Sequence, residues 1–210
     1  MSSSPVPMGG IFVAVTGPSG SGKTSVCKAL LAGFPQLRFS VSLTTRPPRP
    51  SEVDGEDYRF VSEAEFRERI RRGDLIEWAE NYGQLYGTSR EAMEEALKGN
   101  DLLLDVDTRG ARALKKAWPG GIFVFIVPPS IGELERRLRG RGSETEETIR
   151  RRFDNALREI REIVWYDYVI VNDELDAAID RLRAVYLAET CRRERMMEQI
   201  KPFFDRSGGV

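Results

Sequence analysis

Residues 17–24 read Gly-Pro-Ser-Gly-Ser-Gly-Lys-Thr, a complete G-x-x-x-x-G-K-[ST] pattern directly behind the apolar run Ile11 to Val15. The chemistry this spacing offers is the capture of phosphate. Gly17, Gly20 and Gly22 let the main chain bend around an anion, and the loop they form with Pro18, Ser19 and Ser21 can turn successive amide N–H groups inward. Lys23 adds a full positive charge, and Thr24 offers a hydroxyl to magnesium. A helix starting near Lys23 directs the positive end of its dipole at the same oxygens. A nucleoside triphosphate is the ligand this implies, but kinases, GTPases and mechanical ATPases all use such a loop, so the activity has to come from other residues.

The elements that must position the loop follow from hydrophobic patterning. Ile11 to Thr16, Leu102 to Val106, Ile122 to Val127 and Tyr168 to Val171 read as buried parallel strands. The spacing predicts helices over Thr24 to Leu31, Gly110 to Trp118, Ile131 to Arg139, Thr148 to Ile163 and Leu175 to Met196. This βαβ succession predicts an α/β fold with a parallel-sheet core whose ligands sit at the carboxyl edge of the strands. Residues 37–89 break the rhythm with segments around Phe39 to Leu43, Tyr58 to Val61 and Leu75 to Tyr82 and one helix from Glu63 to Arg72, which predicts an inserted, partly antiparallel lobe. Gly140 to Glu147, charged, glycine-punctuated and flanked by arginines, suits a mobile cover, within a lid over about residues 138–152.

Composition narrows the classes further. At 210 residues, 40% of them apolar, the chain suits one domain over about residues 10–206, with a core of 10–36 and 90–206 and a floppy tail at residues 1–9. Its 32 basic and 33 acidic residues leave a formal charge of −1, so no global field recruits nucleic acid or a membrane. The amino-terminal segment lacks signal-peptide character, and the longest apolar run, Ile122 to Val127, is too short to span a bilayer. Cys27 and Cys191 lack metal-type spacing and suit a reducing cytoplasm. The chain has no histidine, which removes the commonest general base and metal ligand.

A second group of residues can also do chemistry. Ser42-Leu-Thr-Thr-Arg46-Pro-Pro-Arg49 precedes Gly55-Glu-Asp-Tyr58-Arg-Phe60, Ile76-Glu77-Trp78 and Tyr86-Gly87-Thr88. Arg46 and Arg49 are two guanidinium forks on a proline-stiffened segment, suited to a dianionic phosphate. Together with Asp105-Val-Asp107, Arg137-Leu-Arg-Gly-Arg141-Gly and Val169-Ile-Val-Asn172-Asp, these motifs run in the order in which they occur in guanylate kinases, a family the chain resembles over about residues 10–190.

The resemblance implies a P-loop nucleoside monophosphate kinase fold of bacterial type and a reaction of ATP with GMP, and with dGMP, to give ADP and GDP with Mg2+. It implies that Tyr58 and Tyr86 join Arg46 and Arg49 on the acceptor phosphate, and that Glu77 reads the N1 and N2 donors of guanine beside Ser42 and Thr88. A site of this kind leaves a desolvated carboxylate unpaired on the wrong base, which supports selectivity on the order of 10⁴. Asp105 and Asp107, two apart at a strand end, share a face. The family suggests Asp107 for guanine and leaves Asp105 to assist magnesium with Thr24. Arg137, Arg141 and Arg152 match the lid and post-lid arginines that, with Lys23 and Arg46, would neutralise the transferring phosphoryl group. Asn172 matches an adenine-contacting asparagine. Thr108-Arg109 departs from the family's usual pair.

Two other classes compete. A non-catalytic interaction module of the same fold would have no need of an intact phosphate loop, and a kinase for another nucleotide would not need Glu77. A regulatory GTPase would carry a guanine-reading Asn-Lys-x-Asp segment, which this chain lacks. Phe203 and Phe204 on the C-terminal helix either fold back or support a homo-oligomer.

Overall fold

A computed structural model describes residues 9–50, 52–81, 83–140 and 145–205. Arg141, residues 141–144 of the expected lid and the tail apart from Gly9 lie outside the described residues.

The core is a five-stranded parallel sheet. β1 (Phe12–Thr16) lies at its centre, between β7 (Asp101–Asp105) and β8 (Ile122–Val127), with β2 (Leu37–Phe39) and β9 (Tyr168–Val171) at the edges. β1 is buried at all five positions, as expected of a strand covered on both faces, and its sequence is accordingly apolar without alternation.

Helices cover both faces. On one, α1 (Lys23–Gly33) and α7 (Leu175–Thr190) bring Val26, Leu30, Leu182 and Tyr186 onto Val13, Val15, Val124 and Ile126. On the other, α3 (Arg90–Ala96) and α4 (Thr108–Ala117) bring Met93, Ala111 and Leu114 onto Phe12, Ala14, Leu104 and Phe123. α5 (Ile131–Arg139) and α6 (Glu146–Ile160) share a smaller core of Leu134, Leu138, Ile149 and Ala156.

The lobe is a second, mixed sheet of order β4-β3-β6-β5, formed by β3 (Ser42–Thr44), β4 (Tyr58–Phe60), β5 (Leu75–Asn81) and β6 (Gln84–Ser89). β3 and β4 are parallel, and the other pairs are antiparallel. α2 (Glu63–Arg72) covers the sheet through Phe66, which packs with Leu43, Leu75 and Leu85. Ser62 caps α2 by accepting from the Glu65 N–H, and Gly73 ends it in the left-handed conformation.

Four boundaries differ from the sequence reading. Phe39 to Leu43 is not one segment: Leu37 is buried beneath α1, so residues 37–39 join the core sheet and the lobe sheet begins at Ser42. β6 and α3, which the periodicity did not signal, complete the lobe hairpin and the return to the core. The helix expected over Thr148 to Ile163 tightens after Ile160 into a 3-10 turn over Arg161–Trp165. The long C-terminal helix stops at Thr190, and α8 (Arg193–Asp205) follows, leaving Phe203 and Phe204 exposed. Cys27 and Cys191 are both free, and no helix among the described residues is long and apolar enough to cross a membrane.

Candidate active site

β1 runs directly into the 17–24 loop; β7 ends at Asp105, and Asn172 directly follows β9, on the same carboxyl edge. Core packing fixes the loop. A Cβ at Gly17 would stand 2.3 Å from the Ile126 carbonyl oxygen, and one at Gly22 would stand 2.2 Å from Asn172 Nδ2. Gly20 (φ 89°) and Gly22 (φ 84°) occupy the left-handed region that only glycine enters without strain.

α1 is uncapped: Gly22 offers no side-chain acceptor, and its first turn holds no acid. α2 to α6 each carry a capping Ser, Thr or Asp. The amides that begin α1 are therefore available to an anion. They line a hollow of about 250 Å³ formed by residues 17–25 and Asp105.

Lys23 Nζ pairs with the Asp105 carboxylate. Burial alone would lower the Lys23 pKa, but the charge and hydrogen bond of Asp105 outweigh it, so the net shift is upward and the lysine is cationic. Arg152, on α6, donates to Ser19 Oγ at the lip of the loop. Arg137, on α5, is held by Glu133 at 2.6 Å and donates to the Asn172 carbonyl at 3.0 Å. Asn172 is buried, and its amide donates to the Ser21 carbonyl at 2.7 Å, so it braces the loop from beneath. Beside it, Gly20, Gly22, Ser25, Arg137, Asp173 and Leu175 enclose a hollow of about 320 Å³. Thr24 is exposed at the mouth.

The lobe supplies the second group. In β3, Ser42 pairs in register with Tyr58 and Thr44 with Tyr86, which brings the two tyrosine rings to 6.1 Å between centroids. The Arg46 guanidinium lies 5.4 Å from the Tyr58 ring centre, within cation–π range. Arg46 also pairs bidentately with Glu52, at 2.8 and 2.9 Å. The Arg49 side chain is 72% exposed and stands 3.9 Å from Glu52, so the expected twin forks are unequal. Burial, and then the negative charge of Asp105, raises the Tyr58 phenol.

Glu77 faces its cross-strand partner Thr88, which donates to it at 2.6 Å. Only 8% of Glu77 is exposed, and burial pushes its pKa up to about 7 against the Thr88 hydrogen bond, with the charge of Asp107 adding to the rise. Its other oxygen approaches Gly110, where a Cβ would stand 2.8 Å away. Asp107 is not on the strand: β7 ends at Asp105, and Asp107 caps α4 by accepting from the Gly110 N–H at 2.7 Å. The cap places Asp107 beside Glu77 without relying on strand parity.

The structure thus brings together Glu77, Thr88 and Asp107, brings together Arg46, Tyr58 and Tyr86, and sets Lys23, Asp105 and Arg152 along the loop. It leaves Arg49 in solvent and gives Ser42 its place by strand register alone. Sequence reasoning passed over Glu52, a carboxylate six residues from Arg46 across a proline-rich turn, and Glu159, whose burial raises its pKa and whose charge is felt at Lys23.

Comparison with known proteins establishes the family. Residues 11–189 match the family model described as guanylate kinase. A guanylate kinase of Geobacter metallireducens is 49% identical over 197 residues, covering 93% of this chain and 97% of that protein. One of Syntrophus aciditrophicus is 51% identical over 197 residues, 93% and 95% of the two chains. The crystal structure of guanylate kinase from Anaplasma phagocytophilum superposes with a TM-score of 0.74 at 32% identity, covering 96% of this chain and 98% of the other. With a glycine-lined loop, a facing arginine–tyrosine cluster and a family match that spans both, the chain belongs to the guanylate kinase family.

Proposed function

We propose that this protein transfers the γ-phosphoryl group of ATP to GMP, giving ADP and GDP. The observation that carries the choice of acceptor is Glu77, a buried carboxylate held by Thr88 on the wall where the lobe meets the core. Ionised, it accepts from the adjacent N1 and N2 donors of guanine. Adenine, with a lone pair at N1, would leave it desolvated and unpaired.

The triphosphate suits the 17–24 loop, where backbone amides, the α1 dipole and Lys23 converge. The adenine side suits the hollow beside Asn172 and Arg137. Arg46, Tyr58 and Tyr86 hold the acceptor phosphate, and Arg49, exposed in this structure, swings onto it. The second pKa of a phosphate monoester is near 6, so at neutral pH the attacking oxygen is already ionised and no general base is needed. A chain without histidine can therefore do this chemistry by alignment and charge neutralisation. Arg152 and Arg137, beside the loop, stabilise charge on the transferring group.

Magnesium fits the same place. Thr24 and Asp105 offer two oxygens, and no cluster of three or more ligating side chains occurs among the described residues, which suits an ion that keeps waters and substrate oxygens in its shell. When bound, it supplies charge neutralisation on the phosphate oxygens. A coupled assay with pure protein, ATP and magnesium tests the reading across GMP, AMP and dTMP. Turnover of GMP is expected, and turnover of AMP or dTMP without GMP would overturn it.

A further inference from the structure

We infer that Glu52 is a positioning residue for the acceptor phosphate: it holds the Arg46 guanidinium end-on, so that one side of the fork stays turned to the substrate. This rests on the proposed binding of GMP and adds a residue to that site.

The argument begins with a count of donors. A guanidinium has five N–H groups. Arg46 Nη1 spends both of its own, on Glu52 Oε2 at 2.9 Å and on the Pro47 carbonyl at 2.8 Å. Nη2 spends one on Glu52 Oε1 at 2.8 Å. What is left is Nε–H and the second N–H of Nη2, which lie parallel along one side of the group. That is the side-on pair that binds two oxygens of a phosphate. Neither Glu52 nor Pro47 takes either of these donors, and the Tyr86 hydroxyl hydrogen-bonds the same guanidinium. The pairing with Glu52 therefore spares the edge suited to phosphate.

Glu52 also sets the turn. Its Oε2 accepts from the Arg49 N–H at 2.8 Å, and its own N–H donates to the Arg49 carbonyl at 3.0 Å. Both partners are shielded, with side-chain exposures of 16% for Arg46 and 12% for Glu52, and the guanidinium lies over the adjacent rings of Tyr58 and Phe60, at 5.4 and 5.8 Å from their centres. A long, flexible side chain is thereby reduced to one orientation before substrate arrives, which lowers the ordering cost of binding. Arg49, without such a clamp, stays exposed.

The test compares Glu52→Gln with wild type by equilibrium binding of GMP and of guanosine, which lacks the phosphate, and by steady-state kinetics. Glu52→Gln is expected to weaken GMP roughly ten- to a hundredfold, by loss of a charged hydrogen-bond pair, with guanosine binding and KM for ATP within about twofold. In an Arg46→Lys background, the same change is expected to add less than about twofold, because Glu52 acts through Arg46. Tighter GMP binding by Glu52→Gln would mean that the carboxylate competes with phosphate, and would overturn the inference. Equal weakening of GMP and guanosine would also overturn it, since that pattern reports a damaged lobe. Wild type that binds guanosine but turns over no GMP would instead count against the proposed reaction, so the two failures are distinguishable.

Discussion

The loop at residues 17–24 and the cluster of Arg46, Tyr58 and Tyr86 both offer donors to an anion, but the first is made of main chain and the second of side chains. The loop's geometry comes from core contacts: Gly17 against the Ile126 carbonyl, Gly22 against Asn172, and α5 leucines packed on Gly20. Its donors are amides that cannot turn away once the sheet has formed. The lobe has no such backbone, so its guanidinium is oriented by a counter-ion and two aromatic rings. The difference explains why one site is legible as a contiguous motif while the other is spread over β3, β4, β5 and β6. It also suits their tasks, since the donor's triphosphate needs a rigid seat and the acceptor needs a site that can close over it.

The comparison can be broken at several points. Lys23→Ala removes the cationic side chain that the loop itself carries. It should lower kcat on the order of 10³-fold while equilibrium binding of GMP is largely kept. A comparable loss of GMP binding would show that the two sites are not separate. Arg46→Ala should raise KM for GMP roughly a hundredfold and leave KM for ATP unchanged, whereas Arg49→Ala, from a solvent-exposed start, should cost less than about tenfold. Equal effects would erase the distinction between a clamped and an exposed arginine.

Glu77 gives a pH signature. Its folded pKa of about 7 lies above the ordinary carboxylate value of 4.5, so the folded protein binds more protons than the unfolded chain in between. Stability from this group is complete below about pH 4.5 and is lost as pH rises through about 7. Glu77→Gln keeps an acceptor for Thr88 without the buried charge. Thermal unfolding should find it more stable than wild type at pH 8 by ~1–3 kcal/mol, with the gap closing towards pH 5. A gap that widened towards low pH would contradict the assignment. The smallest expected effect is that of Asn172→Ala, which leaves the buried Ser21 carbonyl without its 2.7 Å partner and should cost ~1–2 kcal/mol in denaturant unfolding.

Much of this was legible in the sequence, for physical reasons. The phosphate loop is contiguous because backbone amides in a row must be neighbours in sequence, and the buried strand Ile122–Val127 declares itself by unbroken apolarity. Tyr168–Val171 is a strand as its apolar run predicts, but as the sheet's edge it buries only Ile170 and leaves Val169 and Val171 exposed. β6 was missed because Tyr86-Gly87-Thr88 reads as site residues rather than as a strand, and β2 because three residues carry too little periodicity. Asp107 reads in the sequence as sharing a strand face with Asp105, whereas the strand ends at Asp105 and Asp107 caps α4. Glu52 went unread because an acid near two arginines is usually a solvated neighbour, and only hydrogen-bond directions reveal the clamp.

The most direct measurement is the ratio of kcat/KM for GMP to that for AMP, with ATP saturating, in wild type and in Glu77→Gln. The account expects a wild-type ratio on the order of 10³–10⁴ that falls at least about a hundredfold in the variant. A ratio that Glu77→Gln leaves unchanged would contradict the claim that this buried carboxylate selects the acceptor.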